Sequence, residues 1–166
     1  MPYSLAVKKK TRAFVDRYGQ GIIKAIKGTG LFFPTVVAQK CLESGYGESS
    51  LAMNDFNFGG IKYNPNLPGV IGYVVKDTFE YRGGRKIPVQ AKFSKFKDVE
   101  SGINATITVL KGDRYKDARL NAKTPQEQVL MIARAGYTTT PANTYLSKLK
   151  GIIEATQDYV QLGRIV

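Results

Sequence analysis

Ala38-Gln39-Lys40-Cys41-Leu42-Glu43-Ser44-Gly45-Tyr46-Gly47 is the stretch around which the rest of the 166-residue chain arranges itself. It reads as the last turns of a helix that delivers one carboxylate, Glu43, to a glycine-rich loop. Pro34 and Thr35 mark the helix start, with Thr35 as the expected N-cap. Val36, Val37, Cys41 and Leu42 supply an apolar stripe, and Gly45 sits where a C-cap glycine belongs. A Glu near the C-terminal end of a helix stands on the wrong side of the helix dipole. The dipole and a partly apolar wall both favour the protonated acid, the state a general acid needs. The segment alone fits an ordinary surface Glu equally well.

Upstream, residues 11–27 carry Phe14, Val15, Tyr18, Ile22 and Ile26 at helical spacing, closed by Gly28-Thr29-Gly30. Downstream, residues 45–69 are rich in Gly, Asn, Ser and Pro and read as a loop with a short helix near 49–53. Within it, Asn57-Phe58-Gly59-Gly60-Ile61-Lys62-Tyr63 has two readings. The aromatics and the amide line a sugar-binding groove, or they fill a tight turn and plug the core.

Residues 73–96 change period. Tyr73, Val75, Asp77, Phe79 and Tyr81 alternate with Val74, Lys76, Thr78, Glu80 and Arg82, and Gly83-Gly84 supplies a hairpin turn before Ile87, Val89, Ala91 and Phe93. Glu80 points away from the face carrying Phe79 and Tyr81. If that other face borders a cleft, Glu80 is a second carboxylate; if it faces water, Glu80 offsets Lys76, Arg82 or Lys86. The remainder is helical. Val99, Ile103, Ile107 and Leu110 form a stripe ended by Gly112, and a short helical turn falls within 113–122. Thr124-Pro125-Gln126-Glu127 opens another helix that stops at Gly136, and a last helix runs from about 144 to 160. The fold class is mainly α (α+β): one domain over 1–166, helical, with a β-hairpin lobe inserted at about 70–96.

Composition narrows the chemistry. The formal charge is +12, from 25 basic and 13 acidic residues. That implies a polyanionic partner such as nucleic acid, anionic lipid or an anionic cell-wall polymer, or else a basic soluble surface with no specific partner. The basic residues are dispersed and form no nucleic-acid-binding motif, which disfavours nucleic acid. The chain has no histidine and a single cysteine, Cys41, which reads as a small buried hydrophobe. This removes Ser-His-Asp and Cys-His hydrolases, His-ligated zinc and any intrachain disulfide. No metal or other cofactor is expected, and acid–base chemistry falls to Asp, Glu, Tyr or Lys. No apolar run is long enough to span a membrane. No secretory leader is visible behind Met1-Pro2-Tyr3, so export proceeds without a cleaved leader or the leader is absent from this sequence.

The order of parts, a helix with a terminal Glu, a loop, a β lobe and then helices, resembles that of lysozymes. Four collinear motifs sharpen the resemblance. Ala38–Gly47 is similar to the AQ-x-x-LESGWG signature of the bacterial and phage N-acetylglucosaminidases of glycoside hydrolase family 73, which include flagellar and autolysin cell-wall hydrolases; Ser49, Leu51 and Ala52 continue it. Asn57–Lys62 resembles the family's NLFGIK, and Thr78-Phe79-Glu80-Tyr81 its T-x-E-Y/V segment. Ala135–Pro141, Tyr145 and Lys148-Leu149 resemble AGYATDP-x-YA-x-KL. Three positions depart from the pattern: Tyr46 stands for Trp, Gly59 for Phe, and Thr139-Thr140 for Thr-Asp.

The resemblance implies roles. Glu43 becomes the general acid that protonates the leaving glycosidic oxygen. Glu80 becomes the lobe carboxylate, a base for water, a stabiliser of an oxocarbenium-like transition state, or an orienter of a substrate acetamido group. Tyr137 is placed near the reacting sugar, with Tyr145 a secondary candidate. Gln39, Tyr46, Asn57, Phe58 and Tyr63 help hold sugar rings. The implied enzyme is a monomeric, extracytoplasmic endo-β-N-acetylglucosaminidase that cuts peptidoglycan glycan strands and is drawn to anionic wall polymers. A muramidase or lytic transglycosylase, and an inactive wall-binding module, are the alternatives. Two carboxylates without histidine or metal form the minimal glycosidase apparatus, and their separation selects inverting or retaining chemistry.

Overall fold

A computed structural model describes residues 2–163. The first helix, α1 (Leu5–Ile26), starts well before the periodic stretch at 11 because the Ser4 hydroxyl caps it, accepting from the Val7 N–H at 3.1 Å. Lys8–Lys10 therefore lie inside the helix rather than ahead of it.

α2 (Phe33–Ser44) carries Glu43. Pro34 sits in its first turn, where a missing N–H costs nothing. Thr35 is not the N-cap. Phe32 takes that place without a side-chain bond, and Thr35 is buried within the helix, its hydroxyl donating to the Pro125 carbonyl at 3.2 Å. The expected one-sided stripe is also corrected. Val36, Val37, Ala38 and Cys41 are buried, but so are Gln39 and Lys40, while Leu42 is 39% exposed. The reason is tertiary: α2 packs against α1 and two later helices, so most of its circumference is interior. The C-terminus follows expectation, with Gly45 in the left-handed region at φ 56°.

A short helix, α3 (Ser50–Asp55), is capped by Ser49. Strands β1 (Val70–Arg82) and β2 (Arg85–Phe96) then form an antiparallel hairpin. Gly83 and Gly84 both have positive φ, 57° and 76°, as a type I′ turn demands. Residues 61–63 add a short edge, with Lys62 bridged to Phe93. The two hairpin faces differ. Val74, Lys76, Thr78 and Glu80 are partly covered, whereas Tyr73, Val75, Phe79 and Tyr81 stand 46–70% exposed.

α4 (Val99–Leu110) is capped by Asp98, and a 3₁₀ turn (Asp113–Tyr115) leads into α5 (Lys116–Asn121). α6 (Pro125–Ile132) starts at its predicted cap, Thr124, which accepts from the Glu127 N–H at 3.0 Å. A π turn (Ala133–Tyr137) follows, ended by Gly136 at φ 98°. α7 (Ala142–Gln161) closes the fold and packs on α2, α1 and α6.

Candidate active site

Glu43 projects from the last turn of α2 into a cavity of about 510 Å³. Gly59, Ile61 and Lys62 line one side of it, and Thr106, Arg114 and Tyr137 lie among the residues that complete the wall. Both carboxylate oxygens of Glu43 are held. The Tyr137 hydroxyl donates to Oε1, and the Lys40 ammonium donates to Oε2 at 3.0 Å. Lys40 Nζ also lies 3.5 Å from the Tyr137 oxygen, closing a triangle of three side chains.

Each member is placed by its own local structure. Lys40 and Glu43 are three residues apart on α2, which sets them on one helical face. Gly136, in its left-handed conformation, ends the π turn and presents Tyr137. Ser44 shapes the exit from α2, its hydroxyl donating to the Lys40 carbonyl and accepting from the Gly47 N–H at 2.9 Å.

The wall around Glu43 is partly apolar, as the sequence suggested, with Ile61, Val109 and Tyr115 in it, but the groups that touch the carboxylate itself are polar. Burial first, and then the Glu43 charge and hydrogen bond, push the Tyr137 phenol well above its ordinary range, so it is a donor here. Tyr145 is pushed up too, by burial first and then by Glu43 and Tyr137. The neighbouring Gln39 amide opposes that shift, but their contact falls short of hydrogen-bond geometry. Both Gln39 amide atoms and the Tyr145 hydroxyl are buried without a well-formed partner among the described residues.

Of the residues read from sequence, Glu43 and Tyr137 meet in the cavity. Gln39 and Tyr145 lie buried in the same electrostatic cluster, not on a sugar-contacting surface. Asn57 and Phe58 are interior as well, both 1% exposed. The Asn57 amide donates to the Ile61 and Ser94 carbonyls at 2.9 Å each and accepts from the Ile61 N–H, so it knots the loop to β2. Phe58 packs its ring on Tyr18 at 4.9 Å. Tyr46 is half-buried with Lys10 over its ring, and Tyr63 is on the outer hairpin face beside Tyr73.

Glu80 is on the opposite, partly covered hairpin face, the one from which Lys76 reaches Ser50 on α3 at 3.2 Å. There Glu80 pairs with Arg82 at 3.0 Å, and it is absent from the lining of the Glu43 cavity. Lys40, Thr106, Val109, Arg114 and Tyr115 line the cavity but escaped the sequence reading. Lys40 was visible as an i,i+3 partner of Glu43, whereas nothing local marks Thr106 or Arg114. Among the described residues no group of three His, Cys, Asp or Glu could hold a metal ion, and no helix is long and apolar enough to cross a membrane.

Comparison with known proteins bears on this cavity. The model of the glucosaminidase family, described as mannosyl-glycoprotein endo-β-N-acetylglucosaminidase, matches residues 19–158. The peptidoglycan hydrolase FlgJ of Pseudomonas aeruginosa is 31% identical over 141 residues, covering 82% of this chain and 34% of that protein. The chain thus spans about a third of the curated relative it matches. The catalytic domain of the autolysin Auto from Listeria monocytogenes superposes with a TM-score of 0.75 at 25% identity, covering 89% of this chain and 85% of that one. A truncated glycoside hydrolase domain of Salmonella typhimurium FlgJ gives 0.68 at 25% identity, covering 89% and 98%. A peptidoglycan hydrolase mutant from Sphingomonas sp. A1, at 24% identity with coverage of 90% and 98%, shares the fold with a TM-score of 0.72.

Proposed function

The chain belongs to the glucosaminidase family, and from that membership we propose that it hydrolyses the β-1,4 glycosidic bonds of peptidoglycan after N-acetylglucosamine, with Glu43 as general acid. Its helical body with an inserted hairpin is the lysozyme-like architecture of its structural neighbours. One observation carries the assignment: a carboxyl group opens into a cavity, and both of its oxygens are fixed by other side chains. Fixing the carboxyl holds it in one orientation toward the bond, which is where positional catalysis originates.

In the proposed reaction, Glu43, ionised against Lys40 in the resting protein, takes up a solvent proton as the glycan enters and gives it to the leaving oxygen as the C1–O bond breaks. Water then adds to C1 and a proton returns to Glu43. Tyr137, a neutral phenol, holds Oε1 throughout. Glu80 is the proposed second carboxylate, acting on water or on the developing positive charge. Its place on the partly covered hairpin face supports this, provided that the hairpin swings toward the cavity when a glycan binds. The +12 charge suits an anionic wall, and work on such a wall is extracytoplasmic.

A second reading has its own support. Glu80 lies outside the Glu43 cavity, and a lytic transglycosylase needs only one acid, the sugar's own hydroxyl being the nucleophile. Mass spectrometry of digested peptidoglycan decides. The wild type should release fragments ending in reducing N-acetylglucosamine, and Glu43→Gln should release none. A 1,6-anhydro muramyl end would overturn hydrolysis in favour of transglycosylation. Glu80→Gln should lower kcat less than Glu43→Gln does, and recovery by added azide would identify it as the base for water.

A further inference from the structure

Four charged side chains line the Glu43 cavity: Lys40, Glu43, Lys62 and Arg114. Lys40 and Glu43 neutralise each other across 3.0 Å. The other two cations have no carboxylate within ion-pair distance among the described residues. The cavity therefore carries two uncompensated positive charges.

Both side chains are exposed, and each has a defined neighbour at the cavity. Lys62 belongs to the short edge bridged to Phe93, and its Nζ rests 4.9 Å from the centre of that ring. Arg114 comes from the 3₁₀ turn, and its guanidinium lies over Gly136, where an added Cβ would sit 3.6 Å from it. No described residue takes up the guanidinium's donors in a hydrogen bond.

Two free cations in this cavity are costly for the reaction proposed above. Cleavage passes through an oxocarbenium-like state, and positive charge developing beside positive charge is disfavoured, most of all once a bound glycan has displaced the water that screens these two exposed side chains. The cost disappears if the substrate brings its own negative charge. A guanidinium fork and an ammonium are the groups that take a carboxylate or a phosphate.

On this basis, and resting on the glycosidase reading, we infer that Lys62 and Arg114 form a subsite for an anionic substituent of the glycan close to the bond that is cut. The preferred substrate is then a glycan bearing carboxylate or phosphate groups, and a neutral glycan of the same linkage is a poor one.

The test compares soluble peptidoglycan fragments in three forms: stripped of phosphodiester-linked polymers, stripped and then amidated at their carboxyl groups, and unstripped. The wild type should cut the stripped fragments with a kcat/KM about tenfold above that for the amidated ones, the size of effect expected of charge-assisted hydrogen bonds. In the Lys62→Gln/Arg114→Gln double variant that ratio should fall to near one. If the preference instead follows the unstripped form and the double variant erases it, the anion is a phosphate and the subsite stands. Equal cleavage of all three forms by the wild type, or a preference that survives in the double variant, overturns the subsite. Equilibrium binding of the same fragments gives the ratio independently of catalysis. A protein that discriminates in binding but releases no reducing ends would remove the glycosidase reading and keep the anion subsite.

Discussion

Lys40 and Glu43 face each other on one turn of α2 with Nζ and Oε2 3.0 Å apart, and the lysine is the more deeply buried partner, 2% exposed in its side chain against 19%. The acid proposed for catalysis is therefore also the counter-charge that lets an ammonium sit in the interior.

Glu43→Gln consequently has two effects. It removes the acid, so hydrolysis is lost, and it strands the Lys40 ammonium, which should cost about 3 kcal/mol of stability. Urea unfolding would show it as a lower midpoint with an unchanged slope. Lys40→Met/Glu43→Gln should recover most of the stability and remain inactive. A Glu43→Gln protein as stable as the wild type would contradict this account.

Tyr137→Phe removes the donor to Glu43 Oε1 and the long 3.5 Å contact that the same hydroxyl accepts from Lys40, while the ring still packs near Tyr115 and Tyr145. The freed carboxyl gains a rotational choice. We expect kcat to fall about tenfold, with a loss in stability of about 1 kcal/mol, the usual worth of one hydrogen bond. Steady-state kinetics beside a thermal melt separates the two. An unchanged kcat would dissociate Tyr137 from the chemistry.

Alkaline pH should act through the same group. The folded protein holds the Tyr137 and Tyr145 protons more tightly than the unfolded chain does. The unfolded chain begins to release them near pH 10. Their contribution to stability is complete below that pH and is lost as pH rises above it. The Tm should stay level up to about pH 9 and drop beyond about 10. The drop should be shallower in Tyr137→Phe, and an equal slope in the two proteins would refute the assignment.

Gly59 sets the room over the acid. Its backbone is not in the left-handed region, so other residues fit there conformationally. A Cβ would stand 3.0 Å from Thr106 Cγ2 and 3.5 Å from Glu43 Oε2. Gly59→Ala should be tolerated after a small shift of Thr106, while Gly59→Leu should fill the cavity and lower kcat/KM more than about tenfold with the protein still folded. Circular dichroism and fragment-cleavage assays would check both, and a fully active Gly59→Leu would mean that the glycan binds elsewhere.

The fold was largely legible in the residues. Gly83-Gly84 between two stretches of period 2 specifies a hairpin by itself, and Thr124 with Glu127 specifies a helix start. Helix ends were less so. Thr35 has the chemistry of a cap, but the neighbouring Pro125 carbonyl takes its hydroxyl, a contact 90 positions away in the chain. Asn57 illustrates the limit at the site. An amide that ties down its own loop and one that binds sugar have the same residue in the same kind of stretch, and only the position of the Ser94 carbonyl distinguishes them. Lys40 shows the converse. Its spacing from Glu43 was plain, yet the burial that makes the pair consequential comes from helices distant in sequence.

Cys41 lies between these two residues, fully buried, and burial pushes its thiol far above the ordinary range. Thiol reagents attack the exposed thiolate, so the folded chain presents nothing to them. It is also the only cysteine. The labelling rate of the unmodified protein thus times the opening of the helix that carries Glu43, a clock built into the core behind it.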